Sequence, residues 1–166
     1  SSAALKEKQA PRRFTILFVE HAMTTYKSDL FFGARTGNGR ILVVDDEPSI
    51  RTVLRRMLEK AGYDVVEADN GETAIEAINT GENPLILDAV ICDIRMPKIN
   101  GLDAIAYFRH MYPRVPLIVL TGYPDAEMAI SCLRHGVVDY LVKPVDGKRL
   151  IVAVEKAMEQ RAMAWR

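Results

Sequence analysis

The chain has 166 residues, and its 22 lysines and arginines are balanced by 22 aspartates and glutamates. That length carries one ordinary domain with residues to spare, and the balanced charge gives no electrostatic ground for nucleic-acid binding. No apolar stretch approaches the ~20 residues of a membrane helix, and the two cysteines, Cys92 and Cys132, lie in apolar segments without metal-ligand spacing, which suits buried thiols in a reducing compartment.

Lys6, Lys8, Arg12 and Arg13 precede the apolar run Phe14-Thr-Ile-Leu-Phe-Val19, a layout faintly like a signal peptide. The run is shorter than the ~7–15 residues of a signal core and ends in Glu20, so export is not expected and the cytoplasm is the expected location. Phe14 to Val19 suits a strand, His21 to Phe32 a short amphipathic helix, and Gly33 to Gly39 a flexible joint. Residues 1–39 read first as a leader or the remnant of an upstream region. The alternative is an extra strand added to a sheet edge in the same or a partner chain.

From Arg40 onward, short apolar runs alternate with helical patterns, which predicts right-handed βαβ units and a parallel sheet. The strands are expected at about residues 40–44, 63–68, 88–93, 115–120 and 138–142. Pro48 opens the first helix, where its missing N–H costs nothing, and Gly62 ends it. Its apolar stripe is Ile50, Val53, Leu54, Met57 and Leu58, and Arg51, Arg55, Arg56 and Lys60 occupy the other face. The second helix, from Asn70 or Gly71, buries Ala74, Ile75 and Ile78; the third follows Gly101 with Leu102, Ile105 and Phe108 inward. The fourth spans about Asp125 to His135 with Ala129, Cys132 and Leu133 on one face, and stops at Gly136. The fifth starts near Gly147 with Leu150, Ile151, Val154 and Met158, and its spacing continues through Ala162 to Trp165, beyond the compact domain.

The strand ends carry the chemistry. Ile41-Leu-Val-Val44 ends in Asp45-Asp46, Ala89-Val-Ile-Cys92 in Asp93, Leu117-Ile-Val-Leu120 in Thr121, and Tyr140-Leu-Val142 in Lys143-Pro144. In a parallel α/β sheet ligands bind at these C-terminal tips, where the connections change face. Three carboxylates about 4–6 Å apart repel by a few kcal/mol per pair at an effective dielectric of ~20, so the cluster calls for a cation. Hard oxygen donors with room for water suit Mg²⁺.

The order Asp-Asp, Asp-x-x-Met-Pro-x-x-x-Gly, Thr-Gly and Lys-Pro on successive strands resembles the receiver domain of bacterial two-component response regulators. The match runs from about Arg40 to about Gln160. The resemblance implies a flavodoxin-like, doubly wound α/β fold whose five parallel strands have the order 2-1-3-4-5. It divides the chain into an N-terminal extension (1–39), a receiver domain (40–160) and a C-terminal helix extension or linker (161–166).

It also implies a site. Asp93 would be the phosphoacceptor, and Asp46 and Asp93 would ligate Mg²⁺ directly, Asp45 through water, with the backbone carbonyl of Arg95 as a further ligand. Lys143 and the Thr121 hydroxyl would offset charge on the phosphoryl oxygens. Thr121 and Tyr140 would form the switch, the tyrosine turning inward as the threonine is drawn to the phosphoryl group. The Lys143-Pro144 bond would be cis. Met96-Pro97 and Gly101 would shape the loop after Asp93. Arg95 and Tyr123 would flank the path of an attacking water and shield the phosphoryl group.

The implied partners are a sensor histidine kinase or a histidine phosphotransfer protein, met through the basic face of the first helix with Arg51 and Arg55. Helix four, strand five and helix five would supply an output or homodimer face, with Asp125, Glu127, Arg134, Asp139, Lys148 and Lys156 as its candidate groups. No nucleic acid or membrane is expected to bind this chain. His21, His110 and His135 show no catalytic arrangement. The expected product is a signalling switch and not a turnover enzyme. Two alternatives stay open: a non-phosphorylated interaction module, and a phosphohydrolase of the haloacid-dehalogenase type. That second family needs Asp-x-Asp after its first strand, which Asp45-Asp-Glu47 does not supply.

Overall fold

Near-continuous runs of Val, Ile and Leu build five parallel strands among the described residues of the computed structural model: β1 (Arg40–Val44), β2 (Asp64–Ala68), β3 (Leu87–Asp93), β4 (Leu117–Thr121) and β5 (Asp139–Val142). The structure describes residues 37–81, 87–96 and 101–164. All of them belong to one unit of the chain, residues 36–166. The strand predicted at Phe14–Val19, the helix at His21–Phe32, Pro97 and Trp165 lie outside the described residues.

The sheet order is β2-β1-β3-β4-β5, as the resemblance implied, and every neighbouring pair is parallel. Among the described residues, five helices connect and flank the strands: α1 (Pro48–Lys60), α2 (Gly71–Asn79), α3 (Gly101–Met111), α4 (Ala126–Arg134) and α5 (Gly147–Met163). The alternation of side chains along β1, β3 and β4 divides the core in two. Leu42, Val44, Val90 and Val119 pack with Ala74, Ile78, Ile105, Phe108 and Cys132 of α2, α3 and α4. Ile41, Val43, Ile91, Ile118 and Leu120 pack with Leu54, Leu58, Leu150 and Val154 of α1 and α5. Burial on both faces explains the near-continuous hydrophobicity of β3, all seven of whose residues are buried. The edge strands β2 and β5 each keep part of their length exposed.

Helix ends follow local chemistry. Pro48 starts α1, Asn70 and Thr73 form a capping box on α2, and Asp125 and Asp146 accept from Glu127 N and Arg149 N at the starts of α4 and α5. Gly62 and Gly136 leave α1 and α4 at φ +88° and +76°, a region that favours glycine. Gly101 lies in α3 as its first residue.

Several burial expectations fail. Val53 is 46 % exposed because α1 meets the sheet along Ile50, Leu54, Met57 and Leu58, and Val53 falls at the margin of that stripe. Leu133 is 59 % exposed, since the nine-residue α4 packs through Met128 and Cys132. Ile75 is only half-buried. On α5 the inward stripe is Leu150, Ala153, Val154, Ala157 and then Arg161, so Ala162 is exposed. Gly37 to Gly39, expected within a flexible joint, are tied down: Asn38 N donates to Gly62 O at 2.8 Å, Asn38 Nδ2 to Ala61 O at 2.8 Å, and Asp64 N to Gly39 O at 2.9 Å. No helix among the described residues is long and apolar enough to cross a membrane.

Candidate functional site

Asp45, Asp93, Thr121 and Lys143 are delivered to one end of the sheet by the strands they end or follow. Register does this: Val44 pairs with Cys92, Asp93 with Leu120 and Thr121 with Val142, so consecutive strands finish level with one another. The Lys143 ammonium lies at the centre. Its Nζ is 2.6 Å from Asp45 Oδ2, 2.8 Å from Asp93 Oδ2 and 3.5 Å from Glu47 Oε1. Lys143 N also donates to Thr121 O at 2.7 Å, and the Lys143–Pro144 peptide is cis, as the resemblance implied.

Burial and charge oppose each other here. Asp45 is fully buried, and that burial pushes its carboxyl up from the ordinary range, aided by the charge of Asp93, despite hydrogen bonds from Lys143 and the Glu47 amide. Burial alone would depress the Lys143 ammonium, but Asp45 and Asp93 outweigh it and hold the group well above the usual lysine range. The lysine is therefore a fixed positive charge between two buried carboxylates. Cys92, beside Asp93 in sequence, is pushed up to about 12 by burial and by the two acids, which leaves it an inert thiol.

Backbone amides fix the carboxylates further. Glu47 N donates to Asp45 Oδ1 at 2.9 Å, and Arg95 N donates to Asp93 Oδ1 at 2.8 Å. Asp93 thus uses one oxygen for its own loop and the other for Lys143. Asp46 is exposed, and its carboxylate lies with those of Asp45 and Glu47 in a group whose ligand oxygens are all within 4.8 Å of one another. Asp93 stands outside that group, joined to Asp45 through Lys143. Hard, partly exposed oxygens converging where positive charge is already drawn in fit Mg²⁺.

Thr121 is buried, and its hydroxyl donates to Tyr123 O at 3.2 Å and accepts from Tyr123 N at 3.1 Å. The Tyr140 ring is half-buried against the core, and its hydroxyl accepts from Asp125 N, the residue that caps α4, at 3.4 Å. The Arg95 guanidinium sits over the Tyr123 ring, 5.3 Å from its centroid.

Other groups lie differently from their expected places. Arg51 and Arg55, read as a basic face for a partner, are bound to Glu67 of β2 at 3.4 and 3.3 Å. Asp139, read as a surface charge, is buried and held by Arg149 at 2.6 and 2.8 Å and by Lys156 at 3.4 Å. Glu47 lies in the acidic group with Asp45 and Asp46, a place that the sequence motifs do not assign it. Its place in an acidic triplet, Asp45-Asp-Glu47, was the available signal.

The response regulator receiver domain family matches residues 41–155. The chain is 36 % identical over 118 residues to the transcriptional regulatory protein ZraR of Escherichia coli (strain K12), covering 71 % of this chain and 26 % of that protein. It is 37 % identical over 120 residues to the DNA-binding transcriptional regulator NtrC of the same organism, covering 72 % and 25 %. The chain thus spans about a quarter of the length of these curated relatives. Among solved structures, a response regulator receiver domain protein from Clostridium thermocellum superimposes with a TM-score of 0.70 at 32 % identity, covering 76 % of this chain and 98 % of that one. NtrX from Brucella abortus gives a TM-score of 0.66 at 30 % identity, covering 76 % and 27 %. With Asp45, Asp93 and Thr121 all bonded to Lys143 and the match running across β1 to α5, this chain belongs to the response regulator receiver domain family of two-component signalling.

Proposed function

We propose that the chain is a phosphoacceptor switch in which Asp93 receives a phosphoryl group from a phosphohistidine of a sensor kinase or phosphotransfer protein. The observation that carries this reading is the Lys143 ammonium held 2.6 and 2.8 Å from the buried carboxylates of Asp45 and Asp93. A carboxylate beside a fixed cation is a nucleophile whose product charge is already provided for.

In the step, an Asp93 carboxylate oxygen forms a bond to phosphorus while the donor's N–P bond breaks. The departing imidazole nitrogen takes a proton from water, and the product is an aspartyl phosphate. Lys143 follows the new phosphoryl oxygens as they draw charge away from the carboxylate. The Thr121 hydroxyl exchanges its contact with Tyr123 for a phosphoryl oxygen, and Tyr140 responds by leaving Asp125. Asp46 and Asp93, with Asp45 and the Arg95 carbonyl, are the groups that would hold Mg²⁺, which when bound neutralises charge on the transferred group. Arg95 and Tyr123 lie together beside this path and restrict water.

The switch acts from residues 40–160 together with the end of α5, which continues to Met163, with 1–39 as a flanking segment, in the cytoplasm. The curated relatives are named as transcriptional regulators. An output partner or domain outside this chain is accordingly what Asp93 controls here.

Intact-mass spectrometry after incubation with Mg²⁺ and acetyl phosphate tests the reading. A single phosphoryl adduct that disappears in Asp93→Asn is expected. No adduct on the folded wild-type chain transfers the assignment to an interaction module that works without phosphorylation.

A further inference from the structure

The acid turn between β1 and α1 is held by a group that the phosphoacceptor chemistry does not use. Arg51 lies in the first turns of α1 and reaches back, and its Nη1 donates to the backbone carbonyl of Asp45 at 2.7 Å. Its Nε is 3.4 Å from Glu67 Oε1 in β2, and the side chain is 17 % exposed. Arg55 Nη1 takes the other carboxylate oxygen of Glu67 at 3.3 Å, which fixes the anion that fixes Arg51. On the other side of the same residue, Asp45 N donates to Ala68 O at 3.1 Å, and Asp45 Oδ1 accepts from Glu47 N at 2.9 Å.

We propose that Arg51 is a positioning residue for the acid pocket, clamping the peptide between Asp45 and Asp46 against Glu67 so that both carboxylates are presented together to a divalent cation. The inference rests on the phosphoacceptor reading and deepens it. The physical ground is the peptide that Arg51 grips. The Asp45 carbonyl belongs to the same rigid plane as the Asp46 N–H, so rotation of that plane swings Asp46 relative to the buried Asp45. Asp46 is exposed, and the core does not pack around it. Three acids in sequence repel one another and favour splaying. A planar guanidinium is suited to the task because its fork donates to the carbonyl and to Glu67 at once, whereas a lysine offers a point charge to one of them. Arg51 touches neither Asp45 nor Asp46 through their carboxylates in this arrangement; it acts through the main chain and through β2.

Titration of backbone amide resonances with Mg²⁺ measures the effect without any phosphoryl transfer. Arg51→Gln is expected to bind Mg²⁺ about tenfold more weakly, the scale on which outer groups that orient ligands act. Arg51→Lys is expected to recover roughly half of that loss on a logarithmic scale, since it retains the charge and one donor. Arg51→Gln that binds within about twofold of the wild type, or wild-type amides that ignore Mg²⁺, overturns the proposal. Should Arg51→Gln fail to fold, Glu67→Gln serves instead: it leaves the Asp45 contact but releases the anchor, and about threefold weaker binding is expected, with unchanged binding overturning the role. The adduct measurement on the wild-type chain keeps the two ideas apart. Weakened Mg²⁺ binding in the variant with no wild-type adduct sinks the phosphoacceptor reading and leaves Arg51 in place; a wild-type adduct with unaltered Mg²⁺ binding in the variant does the reverse.

Discussion

Arg95 and Tyr123 reach the site from the ends of different strands, two residues beyond Asp93 and Thr121, and meet as a cation over a ring at 5.3 Å. Tyr123 is 69 % exposed, so the contact is of the solvated kind, worth ~0.5–1 kcal/mol. If that contact resists opening to water, losing it lowers the hydrolysis barrier by the same amount. Arg95→Ala and Tyr123→Ala are therefore each expected to speed loss of the phosphoryl group about two- to fivefold, read as decay of the adduct by mass spectrometry. The double variant should be no faster than either single one, because both remove the same contact. Asp45 gives a second prediction. Its buried carboxylate is disfavoured by burial and by Asp93, so Asp45→Asn is expected to stabilise the metal-free protein at pH 7 by on the order of 1 kcal/mol in urea denaturation. Added Mg²⁺ should then raise the melting temperature of the wild type more than that of the variant, since a ligand stabilises only the form that binds it.

At the scale of elements, β5 and α5 are joined by Asp139 and Arg149 as well as by apolar contact. Burial would raise the Asp139 carboxyl, but the two bonds from Arg149, the Tyr140 amide and Lys156 outweigh it, so the group lies below its ordinary 3.8. A folded value below the unfolded one means that the pair stabilises fully above about pH 4 and loses its contribution as pH falls through the folded value. Arg149→Ala is expected to cost about 1–3 kcal/mol at pH 7, with the difference from wild type shrinking below pH 4. Lys156→Ala, removing a 3.4 Å contact from a half-exposed side chain, is expected to cost ~0.5 kcal/mol or less. The Asp139–Arg149 pair also marks how far the sequence could be read. The four strand ends were legible because each is a local pattern, and register then brings them level; the sheet order and the cis peptide came only with the resemblance to the receiver family. Leu133 and Val53 were misread because helical spacing defines a stripe but not its margin, and a short or tilted helix uses only its middle. The partners of Arg51, Arg55 and Asp139 were not legible, since which charges meet depends on how α1 crosses β2 and α5 crosses β5.

Across the described unit, β3 spans from the Asp93–Lys143 end of the sheet to a second polar cluster at the opposite end. Asp93 closes the strand; Asp88 lies near its start, where the register with β1 shifts between Arg40 and Ile41. Asp88 is buried, and its Oδ2 accepts from Arg40 N at 2.9 Å, with Gly39 so close that a Cβ there would lie 2.9 Å from the same oxygen. Arg161, buried in the last turns of α5, brings Nε to 3.9 Å from Asp88 Oδ1 and donates Nη1 to Arg114 O at 2.9 Å. The chain coming into β1 and the helix leaving the domain are thus fastened to one carboxylate on the strand that carries Asp93. Continuing α5 past Ala157 is therefore part of the fold and not a frayed tail. Arg161→Met keeps much of the apolar stem but withdraws the charge from a buried acid, a change expected to cost about 3 kcal/mol in urea denaturation. Hydrogen exchange should locate that loss, with amides of the final two turns of α5 and of Arg40 exchanging faster while those of β4 follow only the global change. Equal loss of protection throughout would mean that Arg161 supports the core as a whole and does not join the two ends of the domain.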